Sequence, residues 1–160
     1  MNEELQPAAR PIREVSSDGP GTIVVGIDGS TSSLRAAAYA VGLARRQRSR
    51  LVAVYVRTLP ASVLSLADTG GNAAANVVDA HDAVERQLRD AVEHHIPRLN
   101  VDARLVVRTG EPYTELVAIA EQLHADAVVV GRSAGALHRF AGSVAVKLVR
   151  CGRWPVTVVP

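Results

Sequence analysis

Aromatic side chains are scarce in this sequence: one tryptophan, one phenylalanine and three tyrosines, 3% of the chain. The interior must therefore be filled by Val, Leu, Ile and Ala, and a nucleic acid surface of basic residues interleaved with stacking rings has little to be built from. Cysteine occurs once, as Cys151, so an intramolecular disulfide is excluded and a reducing compartment fits. No apolar run reaches the length that spans a bilayer. The opening residues, Met1 to Arg10, carry Glu3 and Glu4 and lack the apolar stretch of a secretory leader. These absences lead us to expect a cytoplasmic protein with no membrane and no nucleic acid partner.

Charge adds little. The formal net charge is +2; residues 1–20 hold Glu3, Glu4, Glu14 and Asp18 against Arg10 and Arg13, and removing that −2 leaves +4 on residues 21–160. Arg45, Arg46, Arg48 and Arg50 do cluster, but at the end of an expected helix, where cations suit the negative end of the helix dipole and solvate the surface. Histidines form no metal site by spacing. His94 and His95 are adjacent, so a helix points them about 100° apart; His81 and His95 lie fourteen residues apart and could share a face, but no acid or Cys partner is evident to complete a ligand set.

Residues 1–20, rich in Pro, Glu, Ser and Gly without periodicity, read as a disordered tail ahead of a single domain over 21–160. That domain alternates two kinds of segment. Short apolar runs at Thr22–Ile27, Leu51–Val56, Val101–Arg108, Ala127–Val130 and Pro155–Val159 read as strands. Between them lie helical spacings. One starts near Ser30 with Leu34, Ala37, Ala38, Val41 and Ala44 on one face. A second runs from about Val77 to His95, with Val84, Leu88, Ala91 and Val92 inward. A third opens on Pro112 and buries Leu116, Ile119, Ala120 and Leu123, and a short fourth covers Ser143 to Arg150. Alternation of this kind implies a doubly wound α/β fold: a five-stranded parallel sheet joined by right-handed crossovers, helices on both faces.

The third strand has a wet side (Asp102, Arg104, Arg108) and reads as one edge. The last strand, Val156-Thr157-Val158-Val159, reads as the other, and it carries no charge to discourage pairing. A second copy of the chain joined through Val156 and Val158 would cover it, as would a segment of the same chain. Thr58–Asn76 reads as a long loop of small residues with no assigned chemistry.

In such sheets ligands sit beyond the carboxyl ends of strands, where the winding reverses. Two features fall there: Gly26-Ile27-Asp28-Gly29-Ser30 at the first strand, and Gly131 leading to Gly142-Ser143 after the fourth. Glycines admit a phosphate to the backbone, a helix N-terminus offers N–H groups, and a carboxylate accepts from ribose hydroxyls. Taken singly, each is also a good turn or helix cap.

Together these segments resemble the universal stress protein family. Ile23-Val24-Val25-Gly26-Ile27-Asp28-Gly29-Ser30 is similar to its first strand and turn. Val107-Arg108-Thr109-Gly110-Glu111-Pro112 is similar to its third strand and the turn beyond, and Asp126-Ala127-Val128-Val129-Val130-Gly131 to its fourth strand. Gly142-Ser143-Val144-Ala145 followed by Arg153-Trp154-Pro155-Val156-Thr157-Val158-Val159 is similar to its closing helix and strand. The resemblance implies strand order 3-2-1-4-5, a homodimer through the last strand, and in some members a bound ATP, AMP or ADP, with Mg only alongside nucleotide. It would place Asp28 (after Gly26) on the adenosine, a backbone group of Val56 on the adenine, and the phosphates along a loop patterned G-x2-G-x9-G-[ST]. Here Gly131 and Gly142-Ser143, with Val144 after them, match the ends of that loop. Ala134 stands where the second glycine belongs, Gly135 comes one residue late, and ten residues rather than twelve separate Gly131 from Gly142. Arg132, His138 and Arg139 could supply cationic contacts, or simply solvate a closed loop.

Three classes of function follow: a dimeric stress-response protein that senses adenine nucleotide, a ligand-free module acting through protein partners the sequence does not name, and a nucleotide hydrolase. Hydrolysis is the least favoured, because Asp28 has no evident partner to hold a metal or position water. G-x-x-x-x-G-K-[ST] and G-x-G-x-x-G are both missing, as are the clustered acids and opposing lysine of a receiver domain.

Overall fold

A computed structural model of the chain describes residues 21–58, 72–132 and 144–160. Among the described residues five strands, β1 (Thr22–Ile27), β2 (Arg50–Arg57), β3 (Ala103–Thr109), β4 (Ala127–Gly131) and β5 (Val156–Val159), alternate with four helices. These are α1 (Thr31–Gln47), α2 (Asn72–Asp90), α3 (Pro112–Gln122) and α4 (Val144–Cys151). All four strand pairings are parallel and the order is β3-β2-β1-β4-β5. The chain winds outward from β1 to β3, then returns to place β4 on the other side of β1. The reversal point is therefore the β1–β4 seam.

Alternation along the strands divides the interior in two. Ile23, Val25 and Ile27 of β1, with Leu51, Ala53 and Tyr55 of β2, pack against Ala36, Ala40 and Ala44 of α1 and Leu88 of α2. Val24, Val52, Val54, Val128 and Val130 face the opposite way, against Leu116, Ile119 and Ala120 of α3 and Ala145 and Leu148 of α4. Burying each such Val, Leu or Ile contributes about 1.5–3 kcal/mol, which is how a sheet nearly without aromatics holds two helical layers. Strand β3 is the wet edge its alternation foretells, with Arg104 and Arg108 exposed.

Two expectations are corrected. Leu34 and Ala38 of α1 point outward, Leu34 being 50% exposed, while Ser33, Ala36, Ala40 and Ala44 face the sheet. The reason is proximity: a Cβ on Gly131 would lie 2.6 Å from the backbone of Ser32 and Ser33, a spacing that admits only small side chains. Helix α2 also begins at Asn72, so the end of the expected loop is helical, and it runs on through a π turn at Ala91–His95 and a 3-10 turn at Ile96–Leu99. The expected tail at 1–20 lies outside the described residues, as do residues 59–71 of the loop.

Candidate functional site

The register that pairs Gly26 with Val54 on one side and Val130 on the other brings the ends of β1, β2 and β4 level. Asp28 and Gly131 thus finish neighbouring strands at the seam where the winding reverses. Behind Asp28, Gly29 takes φ +84°, a left-handed conformation that suits glycine, and Ser30 caps α1, its Oγ accepting from the Ser33 N–H at 3.2 Å. Asp28 Oδ1 accepts from the Ser30 N–H at 2.9 Å, and the Asp28 N–H donates to Ser33 Oγ at 3.3 Å. Ser33, itself buried, donates a hydrogen bond from its hydroxyl to the Ser30 carbonyl at 2.9 Å.

These bonds fix the charge of the turn. Partial burial is the largest influence on the Asp28 carboxyl and pushes its pKa up, but the hydrogen bonds from Ser30 and Ser33 together outweigh it and hold the group below its ordinary value. The carboxylate is ionised at neutral pH and stands exposed at the strand tip. An exposed, oriented acceptor at a strand tip can take a hydroxyl or amine proton from a ligand.

The other expected site residues divide. Gly131 meets the start of α1 edge-on, and Arg132 donates its N–H to the Val159 carbonyl at 2.7 Å, leaving its exposed side chain beside the seam. Val56 ends the buried run of β2 one residue beyond the Ile27–Tyr55 pair, its side chain turned towards the α3 and α4 layer. Val144 begins α4, half-buried in that same layer. Gly26 lies within the sheet, where a side chain would come within 3.0 Å of Leu116 Cδ1, so its position serves packing. Gly135, Gly142 and Ser143 lie outside the described residues, as do His138 and Arg139.

A polar group beside the seam is not foreshadowed by the motifs. Tyr55 and Arg57 project from the end of β2 towards α2. The Tyr55 hydroxyl lies 2.5 Å from His81 Nδ1, and His81 Nε2 lies 2.9 Å from the Thr58 carbonyl. Arg57 binds Asp82 at 2.7 Å and also Glu85, which in turn holds Arg89 at 2.7 Å. The signal was a tyrosine and an arginine ending β2 after the apolar run Leu51 to Val54, two residues apart and so on one face. On the other face Glu111 caps α3, its Oε2 accepting from the Thr114 N–H at 2.7 Å and hydroxyl at 2.8 Å, while Lys147 reaches Oε1 at 3.1 Å. Among the described residues no group of His, Cys, Asp and Glu could hold a metal ion, and no helix is long and apolar enough to cross a membrane.

A doubly wound parallel sheet of order 3-2-1-4-5, with a carboxylate and a glycine ending the two central strands, defines a class of α/β proteins with a cleft at the strand tips. The model of the universal stress protein family matches residues 20–160, and the chain belongs to that family. Among solved structures it is similar to the universal stress protein UspA from Lactobacillus plantarum, with 22% identity over 87% of this chain and 97% of that one and a TM-score of 0.68. It is similar also to a universal stress protein from Burkholderia pseudomallei, with 27% identity over 88% and 96% and a TM-score of 0.67. A third, a universal stress protein in complex with cAMP, shows 26% identity over 89% and 99% with a TM-score of 0.65. No curated protein matches the chain.

Proposed function

We propose that this universal stress protein binds an adenine nucleotide at the β1–β4 seam and acts in the cytoplasm as a homodimer. The observation that carries the reading is the Asp28 carboxylate, ionised, oriented by Ser30 and exposed at the tip of the central strand. A ribose hydroxyl is the natural donor to that carboxylate. Gly131 and Arg132 would stand on the phosphate side, with Gly135, Gly142, Ser143 and Val144 as the further candidates there, Gly26 behind them, and the end of Val56 beside the base. Support comes from the similar universal stress protein whose structure holds cAMP. Mg would enter only with a bound nucleotide.

A second reading, a ligand-free module working through protein partners, is favoured by one feature: the glycine loop has Ala134 in its middle and is two residues short. Native mass spectrometry of freshly purified protein, followed by calorimetric titration with ATP-Mg, AMP and cAMP, separates the two. Retained nucleotide or measurable heat supports the nucleotide site. An empty protein that takes up none of the three leaves the partner module. Where nucleotide binds, Asp28→Ala should weaken it by tenfold or more, since a hydrogen bond to a charged group contributes about 1.5–3 kcal/mol; unchanged affinity removes Asp28 from the site.

The dimer is proposed from strand β5. Among the described residues it pairs only with β4; it carries no charged side chain and leaves Val158 41% exposed, while Val149 on the neighbouring helix α4 is 56% exposed. An uncharged edge flanked by apolar surface is what a second copy would cover.

A further inference from the structure

Of the two helices on the α1 face, α2 touches the candidate site through one side chain. The Val84 methyl groups lie 3.2 and 3.4 Å from where a Cβ on Gly29 would stand, so α2 rests directly on the Asp28–Ser30 turn. Two kinds of contact hold it there. Leu88 enters the core, and His81 meets the hydroxyl of Tyr55 from β2. Arg57, the last residue of β2, binds Asp82 at 2.7 Å and also Glu85. Because Ile27 pairs with Tyr55, Arg57 stands two residues past that pair, level with Gly29.

These contacts lie on different sides of the helix. An α-helix turns about 100° per residue. Around the α2 axis, counted from Val84, Leu88 stands about 40° away and His81 about 60°, whereas Glu85 stands at about 100° and Asp82 at about 160° in the same sense. Val84, Leu88 and His81 thus make one stripe facing the sheet. Contacts confined to a stripe fix how near a helix lies and resist its rotation poorly. Arg57 grips the flank instead. Its two bonds reach round the helix from the stripe, and both leave from a single nitrogen, Nη2. Without that cation the two carboxylates, with side chains 40% and 20% exposed, would be like charges one turn apart at the same strand end, and each would gain by turning towards water. Arg89 also binds Glu85, at 2.7 Å, but from within α2, so it ties the helix to nothing else.

We propose that Arg57 is a positioning residue of the cleft: through Asp82 and Glu85 it fixes the rotation of α2 and so seats Val84 on the Asp28–Ser30 turn. The seating is independent of the nucleotide reading; its effect on a ligand rests on that reading, because the turn under Val84 is the one that aims the Asp28 carboxylate.

The test is NMR of the full chain, read as the nuclear Overhauser contact between the Gly29 α-protons and the Val84 methyls, with the core contacts of the Leu88 methyls as reference. In Arg57→Ala the Gly29–Val84 contact should weaken twofold or more while the Leu88 contacts persist. Arg57→Lys should keep it, since an ammonium can serve both carboxylates from one nitrogen and the planar guanidinium fork is not used here. Arg89→Ala should keep it too, because it removes an ion pair of α2 without touching β2. An undiminished contact in Arg57→Ala overturns the proposal, as does equal loss in Arg57→Lys or Arg89→Ala. Loss of the Leu88 contacts as well would make Arg57 a general support of the helix and overturn it equally. If Arg57→Ala does not fold, the double variant Asp82→Asn with Glu85→Gln decides on the same criterion. Titrations with AMP and ATP should show affinity threefold or more weaker in Arg57→Ala and close to wild type in Arg57→Lys and Arg89→Ala; equal affinity in all four proteins would remove Arg57 from the cleft. Failure of both nucleotides to bind the wild type would end the nucleotide reading, and the Gly29–Val84 contact would still decide the seating of α2.

Discussion

A methyl group on Gly131 would land 2.6 Å from the Ser32 carbonyl carbon and the Ser33 nitrogen, atoms that cannot turn aside as a side chain can. Gly131→Ala should therefore lower stability by about 1–3 kcal/mol, read as a shift in the urea midpoint at unchanged slope. A wild-type midpoint would mean that α1 is not seated as closely as described. The family motif offers phosphate binding as the reason for this glycine; the packing supplies a second reason that needs no ligand. Asp28 differs, because its carboxylate closes the turn through Oδ1 and is still exposed to solvent. Residue identity was legible at both positions. What the motif could not convey was which of the two is already committed to the fold.

At the scale of the element, Glu111 is the clearest case. Burial is the leading influence on its carboxyl and raises its pKa, yet the Thr114 bonds and Lys147 prevail and hold it below the ordinary carboxylate value. A group whose folded pKa is depressed contributes stability above its unfolded pKa, about 4.3 for Glu, and loses it as pH falls through the folded value. Glu111→Ala should thus cost about 1 kcal/mol at neutral pH, the usual loss for an N-cap. That difference from wild type should shrink as pH falls below the unfolded value and through the folded one, as seen in parallel urea titrations. Its side chain is about half exposed, so the Lys147 pair adds little to this figure. Elements were the most legible part of the sequence. Thr22–Ile27 was read to the residue because a buried parallel strand is apolar on both faces and bounded by turn formers. The inward face of α1 was not, because hydrophobicity favours Leu34 while close approach to Gly131 demands Ser33 and alanines. Distance between layers is a tertiary quantity, and no local pattern encodes it. The α2 contacts escaped for the same reason: His81 lies 26 residues from Tyr55, and only the folded sheet brings them together.

For the whole molecule the open question is how the β5 edge is covered. Val158→Lys places a charge on that edge without touching either helical layer. We expect it to convert the proposed dimer to monomer in analytical ultracentrifugation with the far-ultraviolet circular dichroism unchanged. A persistent dimer would exclude pairing through β5. Charge is also sorted along the strand direction. Arg45, Arg46 and Arg48 close α1 near the amino ends of the strands, while Asp28, Asp82 and Glu85 gather near the carboxyl ends.

The contact at Gly131 has a mechanical corollary. With its backbone jammed against β4 and its small residues buried along the sheet, α1 is an anvil: it cannot lift without breaking the central seam. Helix α2, held by Leu88 in the core and by polar side chains of β2, is the jaw that can swing. Amide hydrogens near His81 should accordingly exchange with solvent sooner than those of Ala36 to Ala44, and whatever enters between the two must come in from the α2 side.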